Sequence, residues 1–407
     1  MDEVRTPPPD PASGGGDGRR RIPSLLAGYW AFGQFWGAWV IVVADVNAAH
    51  GLSYGEIGGL LTLLSIVAVA VMALVVPRLA RHPLGTVVPA SLAVLGAAAL
   101  ALALLPTAAL WIGFVVAGAG NGLIDVFMNV DAQRTEVATR RPVLQWMHAS
   151  YAAGGVTGAA IGGLSVSAGG FRVALGGVAV ALAATAAWNA ARGSRVARPE
   201  AEPTPRFSLS AFRRHPGLWV AGVVVLFAFL VEGSMDAWSG LYLQEELDAS
   251  AAQAALAFAA FSGSLFLGRL FAGRVLFGLG ARTTILVSGV GAAAGGAVAA
   301  AADGPLVVGA AFLVVGFAIS AAAPAGFGLI ESTAPSDQTN AIAAVTTVGY
   351  SGFVWSPPIF GWLAEAFSLR AAMAVIVSST IGIVVGGLFA TGSRTRRGQD
   401  ARAGAGG

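Results

Sequence analysis

The sequence predicts an all-α polytopic membrane protein, with twelve transmembrane helices in two pseudo-symmetric six-helix bundles. Three observations predict it. Of 407 residues, 56% are hydrophobic and only 11% charged, with mean hydropathy +0.73, whereas a soluble domain carries about 25% charged residues. Twelve apolar runs follow one another along the chain. Arginine, the sole basic residue besides histidine, falls almost entirely on one side of those runs. Such a composition cannot cover a water-facing surface, which excludes an ordinary soluble enzyme, a nucleic-acid-binding module and a disordered chain. The net charge of +3 says little about partners, because the placement of the arginines matters more than their sum.

A bilayer core of about 30 Å needs about 20 apolar residues in a helix. The runs lie at 25–46, 56–76, 86–105, 108–130, 144–167, 171–191, 217–242, 252–272, 283–302, 305–330, 341–365 and 369–391. Helix is the choice for each, since hydrocarbon cannot satisfy open backbone groups. The first follows Arg19-Arg20-Arg21 and is too long for a signal peptide. Residues 1–22, rich in Pro, Gly and Arg, read as a disordered cytoplasmic tail, and 393–407 as another. Between runs six and seven, 192–216 carries Pro199, Pro203, Pro205 and Pro216 and reads as a cytoplasmic linker. It separates an N-terminal bundle, 23–191, from a C-terminal bundle, 217–392.

With the N-terminus in the cytoplasm, 22 of 24 arginines fall on the cytoplasmic side and Arg172 and Arg370 on the other. The positive-inside rule gives this orientation. The same two arginines reveal a repeat. They lie 198 residues apart, and at that offset Gly154 meets Gly352, Ile161 meets Ile359, and Ala159-Ala160 meets Pro357-Pro358. Ala38-Trp39 resembles Ala237-Trp238 at an offset of 199. Two parallel repeats joined by a linker describe a transporter design whose site lies between the halves near mid-membrane.

Across about residues 22–392 the chain resembles the major facilitator superfamily. The segment Asn121 to Asn129 (NGLIDVFMN), followed by Arg141-Pro142 and His148-Ala149, is similar to the MosC-like branch associated with rhizopine, as is Glu232 to Ser239 (EGSMDAWS) with Tyr242-Leu243. The resemblance implies the major facilitator fold and transport, without naming a cargo. The superfamily's basic motif after the second helix corresponds to Pro77-Arg78 through Gly85, and its second copy to Gly268 through Arg282 with Arg274; both lack the family's acidic residue. The antiporter motif Gly-Pro-x-x-Gly-Gly corresponds to Gly158-Ala159-Ala160-Ile161-Gly162-Gly163, without the proline. Gly154, Gly158 and Gly162 recur every four residues and permit close helix approach. These glycines, with Pro357, Pro358, Arg78 and Arg274, are the packing and gating candidates.

An ionisable group inside a membrane helix costs about 2.5–3.5 kcal/mol near its centre and is a functional candidate by default. Helix four places Asn121, Asp125 and Asn129 on one face, and helix seven does so with Glu232 and Asp236. No intramembrane arginine is assigned to face them. Asp125, His148, Glu232 and Asp236 are the proton-coupling candidates. Gln34, Trp36, Asn121, Asn129, Trp238, Tyr242, Tyr350 and Trp355 are the candidates for binding solute. The asparagines equally suit interhelical glue, and the aromatic residues equally suit packing. Tyr29, Trp30 and Trp111 are read as interface anchors, and Glu56, Glu331 and Glu365 as water-reaching groups at helix ends. Asp125 and His148 are placed about 6–8 Å from the cytoplasmic ends of helices four and five at 1.5 Å per residue. They are expected to meet, either as a protonation switch of the inner gate or as a fixed tie.

The expected function is secondary active transport of a small organic solute across the cytoplasmic membrane by alternating access, coupled to protons. The chain lacks Cys and Lys, so a P-loop of the usual form is excluded, as are thiolate sites. No cofactor, metal or enzymatic activity is expected. The partners are a small-molecule solute, protons and the lipid bilayer, not nucleic acid, and the chain is read as a monomer. The alternatives are a non-transporting membrane sensor or scaffold and a polytopic membrane enzyme. The topology is open to labelling, because the parent has no cysteine. Cysteines placed at Ser194 and Ser393 are expected to resist an impermeant thiol reagent in intact cells and to react after lysis. Strong labelling of intact cells would reverse the orientation.

Overall fold

The computed structural model describes residues 11–192 and 210–390. Every regular element among them is helical. The longer helices are α1 (Pro11–His50), α2 (Tyr54–Leu74), α3 (Leu84–Leu104), α4 (Leu110–Thr139), α5 (Val143–Gly169) and α6 (Phe171–Ala191). After the segment outside the described residues come α7 (Leu218–Leu241), α8 (Ala251–Ala301), α9 (Pro305–Ile319), α10 (Ala322–Thr333), α11 (Gln338–Ala366) and α12 (Ala374–Phe389). Nine helical segments among the described residues are long and apolar enough to cross a membrane. Local chemistry sets several ends. Ser53 and Glu56 form a capping box at the start of α2, so Glu56 serves the helix terminus; Ser250 and Gln253 do the same for α8. Pro305 stands in the first turn of α9.

The helices depart from the expected spans at four places. Helix α1 begins at Pro11, so 11–22 is helical rather than a disordered tail. Buried Arg21 pairs there with buried Asp131 of α4, its Nε donating to Oδ2 at 3.0 Å, which fastens this end of α1 to the bundle. Helix α4 continues to Thr139, well past the expected 130, because its polar end carries Asp131 on a buried face. Helix α8 runs on from the eighth span through the ninth, bent at Gly280, whose φ of 76° and ψ of 161° leave the helical region. The tenth span divides at Ser320–Ala321 into α9 and α10. Residues 1–10 and 393–407 of the expected tails, and 193–209 of the expected linker, lie outside the described residues. The linker's far end is a helical turn, Ser210–Arg214, in which Phe212 stacks on Trp219 at 4.2 Å and Arg214 pairs with Asp337 at 2.9 Å.

Several helix pairs come together closely enough to exclude side chains, α1–α5 and α7–α11 among them. A Cβ at Gly154 or Gly158 of α5 would overlap the carbonyl oxygen of Trp30 or Gln34 on α1, and one at Gly33 or Gly37 of α1 would overlap those of Tyr151 or Gly155. At Gly162 the approach is looser, 3.3 Å from Ile41 Cβ. Gly352 of α11, the repeat mate of Gly154, meets the carbonyl oxygen of Leu226 on α7 in the same way. Close backbone contact of this kind supplies the packing that the hydrophobic effect does not supply between helices in lipid.

The helices α1–α6 meet α7–α12 most tightly at the arginine-poor end. Glu245, in the π-helical turn Tyr242–Glu246, accepts from Asn47 Nδ2 at 3.1 Å and from Tyr54 Oη at 2.7 Å. Glu365 of α11 accepts from the backbone N–H of Tyr54 at 3.0 Å, at the N-terminus of α2, where a negative charge meets the positive helix end. Gln244 Nε2 donates to the Ile41 carbonyl at 2.9 Å, and Gly240 lies against that of Val40. Gly58 packs under the Pro357 carbonyl, 2.8 Å from a Cβ placed there.

Overpacking a filled interface costs about 1–3 kcal/mol. Gly158→Ala and Gly352→Ala are therefore expected to lower the thermal unfolding midpoint of the purified protein. Gly176→Ala, with nothing within 4 Å of the added carbon, is expected to leave it unchanged or raised. Equal midpoints for all three would count against the close-approach account.

Candidate functional site

Six helices wall a cavity of about 280 Å³. Helix α1 contributes Tyr29, Phe32 and Trp36; α4 contributes Asn121, Asp125 and Asn129; α5 contributes His148 and Tyr151. On the far wall stand Glu232 and Asp236 of α7 and Tyr350, Phe353 and Pro357 of α11, with apolar residues of α2 between. The i, i+4, i+8 spacing on α4 delivers its three polar groups to one face, as the helical period requires. Asp125 lies 15 residues from Leu110 and 14 from Thr139, and Glu232 lies 14 residues from each end of Leu218–Glu246. Both carboxylates are thus near mid-helix.

The α1–α4 wall is held by hydrogen bonds. Tyr29 Oη donates to Asn129 Oδ1 at 2.8 Å, and Trp36 Nε1 donates to Asn121 Oδ1 at 3.1 Å. Asn129 Nδ2 turns back to the Asp125 carbonyl at 2.5 Å and to its Oδ1 at 3.3 Å. Tyr29 also stands edge-on to His148, ring centroids 5.9 Å apart. On the other wall Tyr350 and Phe353 pack on Phe229 at 5.4 and 4.8 Å.

Arg269 of α8 changes the electrostatics of the α7 wall. Its Nη2 donates to Glu232 Oε2 at 2.6 Å. Counted from sequence, Arg269 belongs with the arginines of the eighth loop, and Glu232 faces no arginine; the structure corrects both. The Arg269 side chain is 43% exposed along its length and that of Glu232 14%, so the arginine reaches in from a more open position. Asp236, four residues along α7, lies in the field of both and has no hydrogen bond among the described residues.

The expected meeting of Asp125 and His148 is also corrected. No hydrogen bond or ion pair joins them among the described residues. Because α4 extends to Thr139, Asp125 lies about 21 Å from that end at 1.5 Å per residue, whereas His148 is five residues into α5. The charges acting on His148 are those of Arg269 and Glu232. Tyr29, read as an interface anchor, is buried instead, because its hydroxyl has a partner on α4.

Most of the other candidates lie away from the cavity. Gln34 is buried in the α1–α5 seam. Trp238 is buried and stacked on Phe360 at 5.0 Å, and Tyr242 is buried with its hydroxyl donating to the Ala299 carbonyl at 2.8 Å. Trp355 is 57% exposed. Arg78 turns back onto the Leu74 carbonyl, and Arg274 lies over the Phe271 ring at 5.9 Å. Pro357 lines the cavity, and Pro358 packs against Gly58 beside it. The reading missed Tyr151, Phe32 and Phe353. Tyr151, three residues past His148 and so on the same helical face, carried a usable signal; the two phenylalanines carried none that separates them from packing residues.

Comparison with known proteins agrees with this architecture. The family model of the Major Facilitator Superfamily matches residues 24–357 and 239–406. An uncharacterized MFS-type transporter of Yersinia pestis is 29% identical over 362 residues, covering 88% of this chain and 92% of that one. The membrane protein MosC of Rhizobium meliloti is 25% identical over 389 residues, covering 93% and 91%. Among solved structures, the nucleoside transporter NupG superposes with TM-score 0.74 at 14% identity, covering 90% of this chain and 97% of that one. A bacterial homolog of the human lysosomal transporter Spinster, inward-facing and unoccupied, superposes with TM-score 0.71 at 13% identity, covering 92% and 96%. At these identities the structural likeness speaks for the fold.

The Arg269–Glu232 pair makes a testable coupling. Removing one partner leaves the other charge unanswered in a site of low polarity, so Glu232→Gln and Arg269→Gln are each expected to lower thermal stability. The double variant is expected to lose less than the two single losses added together, the sign of direct interaction in a double-mutant cycle. Simple additivity would show that the contact carries no energy.

Proposed function

The chain belongs to the Major Facilitator Superfamily, and from that premise we propose that it is a secondary active transporter, not an enzyme. It moves a small organic solute across the cytoplasmic membrane by alternating access, coupled to protons. The observation that carries this reading is the charge balance of the mid-membrane cavity. Three carboxylates face it, those of Asp125, Glu232 and Asp236, and Arg269 answers one of them. Unanswered carboxylates at this depth cost several kcal/mol. Protons or a charged solute are the natural means of neutralising them, and both leave when the cavity opens to water.

The polypeptide in this reading crosses the membrane twelve times, in two six-helix bundles. The nine apolar segments count Ala251–Ala301 once, and the bend at Gly280 divides it into two crossings. Helices α5 and α11 supply the remaining two. Their lower hydropathy fits helices that turn His148 and Tyr151, or Tyr350, into the cavity. Both termini and the linker lie in the cytoplasm, where the arginines gather, and the chain works as a monomer. The polar latch of Asn47, Tyr54, Gln244, Glu245 and Glu365 then closes the external side. The conformation is therefore inward-facing, and opening outward requires those bonds to break.

Proteoliposomes carrying a pH-sensitive dye test the coupling. In wild type, a transported solute from a panel of small polar compounds is expected to drive an internal pH change. In Asp236→Asn that change is expected to fall about tenfold or more at equal reconstituted protein, while solute exchange persists. Solute flux in wild type without any pH change would refute proton coupling and leave facilitated movement.

A further inference from the structure

We propose that the solute carries a protonated amine, and that its ammonium binds Asp125 between the rings of Tyr29, Trp36 and Tyr350. This inference rests on the transport reading above and names the class of solute at the same site. It follows from which hydrogen-bonding groups of the cavity are already in use.

On the α4 wall both amide carbonyls are occupied. Trp36 Nε1 fills Asn121 Oδ1 and Tyr29 Oη fills Asn129 Oδ1. The Asn129 amide nitrogen is turned onto Asp125 itself, at the backbone carbonyl and at Oδ1. The strong acceptor left facing the cavity from this wall is the second carboxylate oxygen of Asp125. A group that only donates, and carries positive charge, is what such an acceptor fits best. The neighbouring aromatic rings suit the same guest, since a cation over a ring face is attracted by its quadrupole.

The opposite wall is unsuited to that role. Glu232 already holds Arg269 at 2.6 Å, and Asp236 lies in the field of the same guanidinium. A second cation there would be repelled, whereas no arginine acts on Asp125. The two walls therefore divide the work. One accepts the ammonium, and the other keeps Asp236 beside a fixed charge pair as the group left for the proton. The volume of about 280 Å³ lies at the small end of ligand pockets, which suits a single small ring.

Calorimetric titration of the purified full-length protein in detergent, with two matched pairs of probes, tests the inference without requiring turnover. The pairs are glucosamine with glucose and cyclohexylamine with cyclohexanol, at a pH where both amines are protonated. In at least one pair the amine is expected to bind about tenfold more tightly than its neutral mate, or better. Asp125→Asn is expected to erase the difference, and Asp236→Asn to keep it. Equal binding within both pairs, absence of binding by either amine, or an amine preference that survives Asp125→Asn would overturn the proposal. The wild-type comparison stands alone should Asp125→Asn fail to fold. Amine binding without flux in proteoliposomes would overturn the transport reading and spare the ammonium site. Flux of neutral solutes in a protein that rejects amines would do the reverse.

Discussion

A charge in hydrocarbon must be answered or hidden, and the structure follows from that constraint. Large apolar residues lie exposed on the helix faces, among them Leu164, Val180, Phe277 and Trp362. The ionisable groups near mid-helix, Asp125, Glu232 and Asp236, open instead onto one internal cavity. Six helices share its wall, so no helix needs to present a carboxylate to lipid. The same constraint explains the departure of α5 and α11 from high hydropathy. A helix that lines a polar cavity is released from the composition that a lipid-facing helix must have.

Polar residues must be gathered without loss of packing, and glycine allows this. Along the α1–α5 seam, Gly33, Gly37, Gly154 and Gly158 bring backbones into direct contact. On α11, Gly352 does likewise against α7. These seams hold Tyr29 and Trp36 of α1 where α4 can bond them. The contacts between the N-terminal and C-terminal helices add exposed hydrogen bonds around Glu245 and Glu365, grouped at one end. Close backbone approaches stand beside them, Gly240 at the Val40 carbonyl and Gly58 at that of Pro357.

Much of the candidate site was legible because helical periodicity is simple. Polar residues spaced by four in an apolar run share a face, and Asp125, His148, Glu232 and Asp236 do line one cavity. Asn121, Asn129, Trp36 and Tyr350 join them there. Periodicity gives no distance between faces of helices remote in sequence. Trp238 and Trp355 both read as deep aromatic residues, yet one is stacked inside α7–α11 and the other faces outward. Arg269 was hidden for a different reason. Near the end of an apolar run it resembles a loop arginine, and its turn inward depends on Glu232, 37 residues earlier.

By itself the sequence determined the membrane as solvent, the helical class and the candidate faces. Those follow from composition, run length and a fixed helical period, which act locally along the chain. The length of α4 beyond 130 and the helical state of 11–22 go with the contact of Arg21 with Asp131, and the bend at Gly280 with a positive φ that glycine accepts. The tertiary structure alone decided which charges meet. Asp125 has Asn129 rather than His148, and Glu232 has Arg269. The physical reason is that electrostatic partnership depends on separation in space, and in a bundle of long helices the groups that face one another stand far apart in the chain.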